Sequence, residues 1–299
     1  MHTKNSHHSN TALSPLPSSG YPNIFAHRGA RGYAPENTMA AIRKARECNA
    51  DGIEIDIQMT KDHEPVLFHD STLLHRTNIT QFPSLLVAGD ETGVHHLTLE
   101  QLRNLSASTI EDTPETYPQD PDFAPPVETK ETIGWPIPTL AEVLSYAQHT
   151  SLLVNIELKA PAQNDSPPLP IVDAVLNRIE TFGMQHRVII SSFHHEYLAT
   201  LAKRAPSIAT GVLTYHALPS PVEYCQNIHA SSYHPYWKHV TRQDIETLHQ
   251  ADISVNVWTV NTAADIHAAL ELGADGLFSD FPDLAKQLSV PSPEEADCM

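Results

Sequence analysis

The sequence predicts an α/β protein whose main body is a closed (β/α)8 barrel. Eight short apolar or β-branched runs recur along the chain, and a helix-length amphipathic stretch follows most of them. The chain has 299 residues, of which 40% are apolar, so it can bury one large core. Repeated strand and helix units favour parallel strands, and counting them leaves an open doubly wound sheet as the alternative. In both architectures ligands bind at the carboxyl ends of the strands.

The eight predicted strands begin near the N-terminus and continue almost to the end of the chain. They are IFAH (24–27), GIEIDIQM (52–59), SLLVNIEL (151–158), RVIISSF (187–193), IATGVLTY (208–215), ASSYHP (230–235), ISVNVWTV (253–260) and DGLFSD (275–280). Helical patterns cover residues 38–47, 170–182 and 241–250. Thr98 with Gln101, and Thr139 with Glu142, have the spacing of a capping box, which predicts that helices begin there.

A ninth apolar run, PVLFHD at residues 65–70, follows the turn-like segment TKDHE. We interpret it as the second arm of a hairpin with EIDIQM. A turn centred on Asp62 and His63 sets Thr60 opposite Pro65, and the same register sets Asp56 opposite His69. The hairpin would then return His69 to the acidic side chains of the preceding strand, whereas a slip by one residue would turn it to the other face.

Three segments depart from the barrel pattern. Residues 1–20 and 290–299 are polar, rich in serine or proline and without periodicity, which predicts disordered tails around a domain at 21–289. From about residue 71 to 138 the alternation lapses, and we expect an insertion over one end of the barrel, helical near residues 98–105. Residues 111–131 within it are acidic and full of proline.

Composition excludes several classes of function. The formal net charge is −18 and only 18 residues are Lys or Arg, so a nucleic-acid partner is not expected. The first twenty residues lack a signal-peptide core, and no stretch approaches the roughly 18 apolar residues of a membrane span. Cys48, Cys225 and Cys298 are far apart and odd in number, which favours reduced thiols. We therefore expect a cytoplasmic protein without stable membrane insertion, and the sequence does not indicate its oligomeric state.

Two acidic residues alternate with isoleucine in the second predicted strand. Glu54 and Asp56 share one face of that strand, and the isoleucines take the other, as in a barrel wall packed against helices. The alternative is an edge strand with solvated acids. Glu157 ends another apolar strand in the same way, and three carboxylates from two strands make a site of oxygen ligands suited to Mg²⁺ or Ca²⁺. A bound cation would offset the cost of burying these charges.

Two histidines lie at predicted strand ends beside these acids. His27 is followed by Arg28 and His69 by Asp70, and two imidazoles beside a metal ion can serve as general base and general acid. Most of the chain's 19 histidines must be structural, which is the alternative for each.

Further residues near the strand ends could contact a substrate. Arg28 and Lys159 would supply positive charge for an anionic substrate. Trp258 could be a core residue or line the mouth of the barrel. In PENT at residues 35–38, Asn37 or Thr38 is expected to cap a helix rather than take part in catalysis.

An ordered set of motifs resembles the glycerophosphodiester phosphodiesterase family. The motifs are HRGA (27–30), APENT (34–38), EIDIQMTKD (54–62), LFHD (67–70), NIELK (155–159), WTVN (258–261) and GLFSDFP (276–282), and the resemblance covers about residues 23–287. It implies a TIM barrel with a small insertion after the second strand. It also implies a divalent cation on Glu54, Asp56 and Glu157, with His27 and His69 as the acid and base pair, and Arg28 and Lys159 on the phosphate.

Two features depart from the family pattern: His63 stands where the turn usually has glycine, and the insertion is longer than expected. The resemblance implies release of sn-glycerol 3-phosphate and an alcohol from a small glycerophosphodiester, with water or a glycerol hydroxyl as nucleophile. The alternatives are a lysophospholipid-cleaving enzyme of the phospholipase D type and a catalytically silent barrel that binds phosphodiesters.

Overall fold

Eight parallel strands close into a barrel in the computed structural model, which describes residues 21–87, 92–107, 134–160 and 169–290. The strands are β1 (Asn23–Ala26), β2 (Gly52–Met59), β3 (Pro65–Leu67), β4 (Leu153–Leu158), β5 (Val188–Ser192), β6 (Ala209–Thr214), β7 (Ser232–Pro235), β8 (Ser254–Val257) and β9 (Gly276–Ser279). Their order around the barrel is β1, β9, β8, β7, β6, β5, β4, β2, and β2 pairs with β1 to close the ring. β3 is antiparallel to β2 and adds a hairpin outside the ring. The predicted barrel is confirmed, and the open sheet is wrong.

Helices follow most of the barrel strands. They are α1 (Met39–Glu47), α2 (Leu99–Leu102), α3 (Leu140–Gln148), α4 (Leu169–Thr181), α5 (His195–Arg204), α6 (Pro221–Asn227), α7 (Arg242–His249), α8 (Ala263–Leu272) and α9 (Pro282–Ser289). The predicted capping boxes of Thr98 and Thr139 are present at the starts of α2 and α3. Among the helices of the described residues, none combines the length and the apolar character that crossing a bilayer requires.

The alternation in β2 divides its side chains between the two sides of the barrel wall. Ile53, Ile55 and Ile57 are fully buried in the apolar core between the strands and the helices. Glu54 and Asp56 are also buried but lie on the inner side, as the alternation predicts. Phe25, Ile189, Ala209 and Phe278 form a second, separate apolar cluster. The acids therefore lie inside the barrel, close to its carboxyl-terminal mouth.

The hairpin of β2 and β3 forms as predicted, but its register differs by one residue. Met59 pairs with Pro65, whereas the sequence predicted Thr60 at that position. His63 adopts a φ of 63° and becomes a third loop residue, so the amide of Thr60 donates to the carbonyl of Glu64 at 3.0 Å. A three-residue loop with a left-handed last residue shifts the pairing by one position relative to a two-residue turn. The predicted register is therefore wrong.

The corrected register changes the neighbour of Asp56 but not the location of His69. The amide of Phe68, rather than a group of His69, donates to the carbonyl of Asp56 at 3.0 Å. β3 ends at Leu67, so the strict alternation of a strand no longer applies two residues later. The Gln58 side chain instead fixes this segment, because its Nε2 lies within hydrogen-bonding distance of the carbonyls of Phe68 (3.0 Å) and His69 (3.1 Å).

The chain between β3 and α3 forms a small apolar cluster of its own. Three short 3-10 helices, Ile79–Gln81, Pro83–Leu85 and Val94–His96, precede α2. Their apolar side chains pack with Val66 and Phe68 of the hairpin. The acidic, proline-rich stretch at 111–131, the predicted tail at 1–20 and residues 291–299 lie outside the described residues.

Candidate active site

A pocket of about 230 Å³ opens at the carboxyl ends of the barrel strands. Seven of the eight predicted site residues line it, and the eighth, Asp56, is buried behind them. The lining residues are His27, Arg28, Glu54, His69, Asn155, Glu157, Lys159, Phe193, Leu213, Trp258 and Phe278. The barrel thus brings the chemistry-bearing residues of the sequence into one cavity.

Three carboxylates converge at the floor of this pocket. One oxygen from each of Glu54, Asp56 and Glu157 lies within 4.8 Å of the others. The register of the parallel strands produces this cluster, because Asp56 on β2 lies directly beside Glu157 on β4 and Glu54 precedes Asp56 on the same face. The convergence predicted from the strand pattern is therefore present.

Two oxygens of this cluster are buried without a hydrogen bond. Oε1 of Glu54 and Oδ1 of Asp56 accept none from the described residues, and the ammonium of Lys159 lies 3.4 Å from Asp56 Oδ1 as an ion-pair partner. The second oxygens are satisfied: Glu54 Oε2 accepts from the amide of Arg28 at 2.8 Å, and Asp56 Oδ2 accepts from Asn37 at 2.8 Å. Buried carboxylate oxygens without donors are costly, and a divalent cation that prefers oxygen ligands would satisfy them. The residues therefore fit such a cation.

The electrostatics of the cluster point the same way. Burial, together with the charges of Asp56 and Glu157, raises the pKa of Glu54 well above its usual range. Burial and the charge of Asp56 also raise the pKa of Glu157. Burial opposes ionisation of Asp56 too, but Arg28 and Lys159 outweigh it and hold the pKa of Asp56 below its usual range. A divalent charge at the cluster would favour the ionised form of all three acids.

The loop after β1 presses Arg28 against these acids. Nε of Arg28 lies 3.3 Å from Asp56, and Nη1 donates to Glu36 at 2.9 Å. Gly29 follows with a φ of 75°, and a Cβ there would lie 2.7 Å from the backbone of α1. This close packing holds the guanidinium at the pocket wall, where it can meet an anion.

Lys159, directly after β4, supplies a second cation on the other side of β2 from Arg28. Its Nζ donates to Glu157 at 2.7 Å and lies 3.4 Å from Asp56 Oδ1. Burial lowers the pKa of Lys159, but the two carboxylates outweigh that effect and raise it overall. The ammonium therefore stays protonated in the pocket.

His27 is held by a carboxylate that the sequence reasoning did not single out. Its Nδ1 lies 2.7 Å from Oδ1 of Asp280, the residue directly after β9. Asn261 Nδ2 donates to Asp280 Oδ2 at 2.8 Å, and the Asp280 amide donates to Asn261 Oδ1 at 2.9 Å. Burial lowers the pKa of His27, and the bond to Asp280 only partly opposes it. Asp280 lies in the GLFSDFP motif, which was the only sequence signal for it.

His69 has a carboxylate partner of its own. Its Nδ1 lies 2.6 Å from Oδ1 of Asp70, and the bond from His69 lowers the pKa of Asp70. Gln58 Nε2 donates to the Asp70 carbonyl at 2.8 Å, which fixes the backbone that carries the imidazole. Both histidines therefore have Nδ1 occupied, which leaves Nε2 of each for a ligand.

The Pro-Glu-Asn-Thr segment has a larger role than the predicted helix cap. Thr38 is the cap, since its hydroxyl accepts from the amide three residues later. Asn37 instead binds Asp56 twice, donating from Nδ2 at 2.8 Å and accepting the Asp56 amide at 3.1 Å. Glu36 accepts from Arg28. The segment orients two site residues, a function that helix-capping rules do not indicate.

Trp258 lies at the pocket wall, and its Nε1 donates to the carbonyl of His234 at 2.8 Å. Trp258 thus lines the mouth of the barrel and also packs against the apolar cluster inside it, and its contact with a substrate stays a prediction. Asn155 also lines the pocket, with a buried Oδ1 that accepts no hydrogen bond from the described residues. Asn155 lies in the NIELK motif, where the sequence pattern indicates no role for it.

A second cluster could also offer three ligand atoms, from Glu36, His69 and Asp70. Arginines already lie beside both of its carboxylates, Arg28 and Arg31 beside Glu36 and Arg76 beside Asp70. The two carboxylates of this cluster face three arginines, whereas the three buried acids face two cations, Lys159 and the shared Arg28.

Comparison with known proteins identifies related sequences over almost the whole chain. The sequence profile of the glycerophosphoryl diester phosphodiesterase family matches residues 27–284. A glycerophosphodiester phosphodiesterase of Bacillus altitudinis is 37% identical over 269 residues, covering 89% of this chain and 97% of that protein. One from Caldanaerobacter subterraneus is 31% identical over 260 residues, covering 87% and 94%.

Solved structures share the same barrel. A Silicibacter pomeroyi protein has a TM-score of 0.76 at 25% identity, covering 92% of this chain and 95% of that one. An Oleispira antarctica phosphodiesterase, solved in complex with its product sn-glycerol-3-phosphate, has a TM-score of 0.71 at 23% identity, covering 90% and 96%. Because the Oleispira antarctica protein is only 23% identical, its similarity establishes the fold alone.

Proposed function

The chain belongs to the glycerophosphoryl diester phosphodiesterase family, a family of enzymes, and from this we propose that it hydrolyses glycerophosphodiesters to sn-glycerol 3-phosphate and an alcohol. The observation that carries the proposal is one pocket in which three carboxylates, two basic side chains and two carboxylate-bound histidines meet. The names of the two relatives at 37% and 31% identity support the same activity.

Arg28 and Lys159 bind the phosphodiester in this proposal. Both are cations held at the pocket wall by the buried acids, so they need little reorganisation when an anion arrives. Charge on the equatorial oxygens grows as phosphorus becomes five-coordinate, and two fixed cations stabilise that charge. The acids between them keep both side chains in place.

His27 is the group suited to accept a proton. Burial lowers its pKa, so the imidazole is neutral near pH 7, and Asp280 occupies Nδ1. Nε2 then takes the proton from the attacking hydroxyl, that of water or of the glycerol. Attack by the glycerol hydroxyl gives a cyclic phosphate, which water opens in a second step.

His69 serves as the acid. With Asp70 on Nδ1, a protonated His69 presents its Nε2 proton to the leaving oxygen. The P–O bond to the alcohol breaks as that proton transfers, so the alcohol leaves neutral. Exchange with solvent then restores the proton on His69 and removes the one taken by His27.

Glu54, Asp56 and Glu157 would hold the divalent cation, Mg²⁺ or Ca²⁺. When bound, such an ion supplies a Lewis acid for the charge that develops at phosphorus. Oε1 of Glu54 and Oδ1 of Asp56, both buried and without a hydrogen bond from the described residues, support this assignment.

Two other functions make different demands on the site. A lysophospholipid-cleaving enzyme must accommodate a long acyl chain beside the same phosphate. A silent binding barrel has no need of two histidines that each hold a carboxylate, and this pairing favours an enzyme.

A panel of deacylated phospholipids with added Mg²⁺ or Ca²⁺ tests the proposal. The wild-type protein should release glycerol 3-phosphate, and His27→Ala or His69→Ala should lower the rate by about 10²–10⁴-fold. His186→Ala, an exposed histidine before β5 at the other end of the barrel, is the matched control and should keep wild-type activity. Histidine variants with wild-type rates would contradict the proposal.

A further inference from the structure

The mouth of the barrel has an aromatic half that the proposed chemistry does not use. Four strands that neighbour one another, β5 to β8, are each followed directly by an aromatic residue. These residues, which we name the aromatic rim, are Phe193, Tyr215, Tyr236 and Trp258. They occupy equivalent places in four successive loops, so the rim is one side of the mouth.

The rings of the aromatic rim form a continuous surface. Tyr215 and Tyr236 stack with centroids 5.1 Å apart and planes 7° apart. Phe193 meets Trp258 edge to face at 5.7 Å, and Trp258 lies 5.5 Å from Tyr236. Phe193 is 42% exposed and Tyr215 52% exposed, so this contiguous aromatic patch reaches solvent, and contiguous exposed apolar patches are common at ligand-binding sites.

The other half of the mouth is charged. β9, β1, β2 and β4 complete the ring, and they carry the Asp280 and His27 pair, Arg28, the three acids and Lys159. Phe193 and Trp258 line the same pocket as these charged groups. If the phosphate binds on the charged half, as the proposed function requires, one organic end of the diester lies against the aromatic rim.

We propose that the aromatic rim binds the head group of the diester and selects one that ends in a trimethylammonium group, as in glycerophosphocholine. A methylated ammonium has no N–H to satisfy and is attracted to the faces of aromatic rings. The head groups of ethanolamine, serine and inositol need hydrogen-bond partners instead. The indole N–H of Trp258 is already committed to the carbonyl of His234, so this donor is not available to a polar head group.

A neutral isostere separates attraction to a cation from simple apolar contact. The holoenzyme is assayed with glycerophosphocholine and with the ester in which 3,3-dimethylbutanol replaces choline, a substrate of the same shape without the charge. We expect kcat/KM for the choline ester to be about tenfold higher. Glycerophosphoethanolamine should also react more slowly than the choline ester.

Substitution of the exposed rings tests whether the aromatic rim causes the preference for the choline ester. Phe193→Leu and Tyr215→Leu should each lower kcat/KM for the choline ester several-fold and leave that for the neutral isostere within about twofold. Tyr21→Leu is the matched control, because Tyr21 is 40% exposed and precedes β1 at the opposite end of the barrel. This variant should behave as wild type with both substrates.

Three results would overturn the proposal: equal kcat/KM for the two esters, a preference for the neutral isostere or a lysophospholipid, or variants that slow both esters equally.

A binding experiment distinguishes failure of the aromatic-rim proposal from failure of the proposed function. Each ester is titrated calorimetrically into the His27→Gln variant. Tighter binding of the choline ester than of the neutral isostere supports the proposed role of the aromatic rim, even if no ester is hydrolysed. Adding Phe193→Leu to this variant should remove the difference. Equal binding of both esters overturns the rim, whereas absence of hydrolysis by wild type overturns the proposed function.

Discussion

Nδ1 of His27 lies 2.7 Å from Oδ1 of Asp280, across the seam where the last barrel strand meets the first. Asn261 holds Asp280 through two hydrogen bonds, so the carboxylate cannot turn away from the imidazole. This arrangement fixes which nitrogen of His27 remains for the substrate. Asp280 is therefore a positioning residue that acts through His27.

Asp280→Asn should lower kcat by roughly 10²-fold or more, since the imidazole loses its orienting partner. The carboxylate raises the pKa of His27, so its removal lowers that pKa further. His27 must be deprotonated to act as base, and the acid limb of the kcat/KM profile should therefore move to lower pH. Asp283→Asn, which removes the exposed partner of Tyr33 in the same region, should leave the profile unchanged. An unshifted limb in Asp280→Asn would contradict the role.

The acid and the base can be distinguished by the leaving group. A p-nitrophenyl ester of glycerol 3-phosphate needs no protonation when its alcohol departs, so a missing acid matters little. We expect His69→Gln to recover much of its lost rate with this substrate and His27→Gln to recover none. The measurement is kcat/KM for each variant with the choline and p-nitrophenyl esters. The reverse pattern would exchange the two roles.

Removing divalent ions should abolish hydrolysis, and restoring Mg²⁺ or Ca²⁺ should recover it. A cation that relieves the crowded acids also stabilises the fold, by about 2.7 kcal/mol at a hundredfold excess over Kd. Such a gain corresponds to a rise in Tm of about 4 °C for a chain of this size. Glu157→Gln should lose most of this rise, whereas Glu47→Gln, an exposed acid on α1, should retain it. Full activity in metal-free protein would refute the cation site.

His234 makes stability depend on pH. Burial lowers its pKa to about 3, whereas an unfolded histidine titrates near 6.5. Below about pH 6.5 the unfolded chain binds a proton that the folded chain excludes, so this residue costs stability as pH falls, and above it the residue has no effect. His234→Gln lacks this penalty. Measured by urea unfolding, the free energy of unfolding of wild type should fall by about 2 kcal/mol more than that of His234→Gln between pH 7 and pH 5. An equal change in both proteins would contradict the account.

His63→Gly should stabilise the protein, because His63 adopts a left-handed conformation with φ of 63° that glycine adopts without strain. A gain of about 1 kcal/mol, or roughly 2 °C in Tm, is expected. Activity should not change, since Gln58 fixes the His69 segment independently. Asn49→Gly, at a φ of 55°, is the control and should gain less, because asparagine tolerates this conformation. Lost activity in His63→Gly would mean that the turn sets the position of His69.

Strand alternation was enough to predict the acidic cluster. Glu54 and Asp56 had to share a face, and parallel pairing of β2 with β4 then left little freedom for Glu157. His27, Arg28 and Lys159 followed from strand ends and from the family resemblance. These features depend on local periodicity, which a sequence displays directly.

Contacts that depend on closure of the barrel or on unusual backbone angles could not be predicted. The hairpin register depended on the φ of a single residue, His63. The Asp280 and His27 contact joins positions 253 residues apart, and it exists only because β9 lies beside β1. Likewise, the four residues of the aromatic rim each follow an apolar run, but their common surface depends on the order of the strands.

The claim on which the rest depends is that Glu54, Asp56 and Glu157 share one divalent cation between His27 and His69. Its most direct test is an anomalous difference map from crystals of the protein soaked in Mn²⁺. The account predicts a single strong peak in contact with all three carboxylates. A map without a peak there, or with the ion held instead by Glu36, His69 and Asp70, would contradict it.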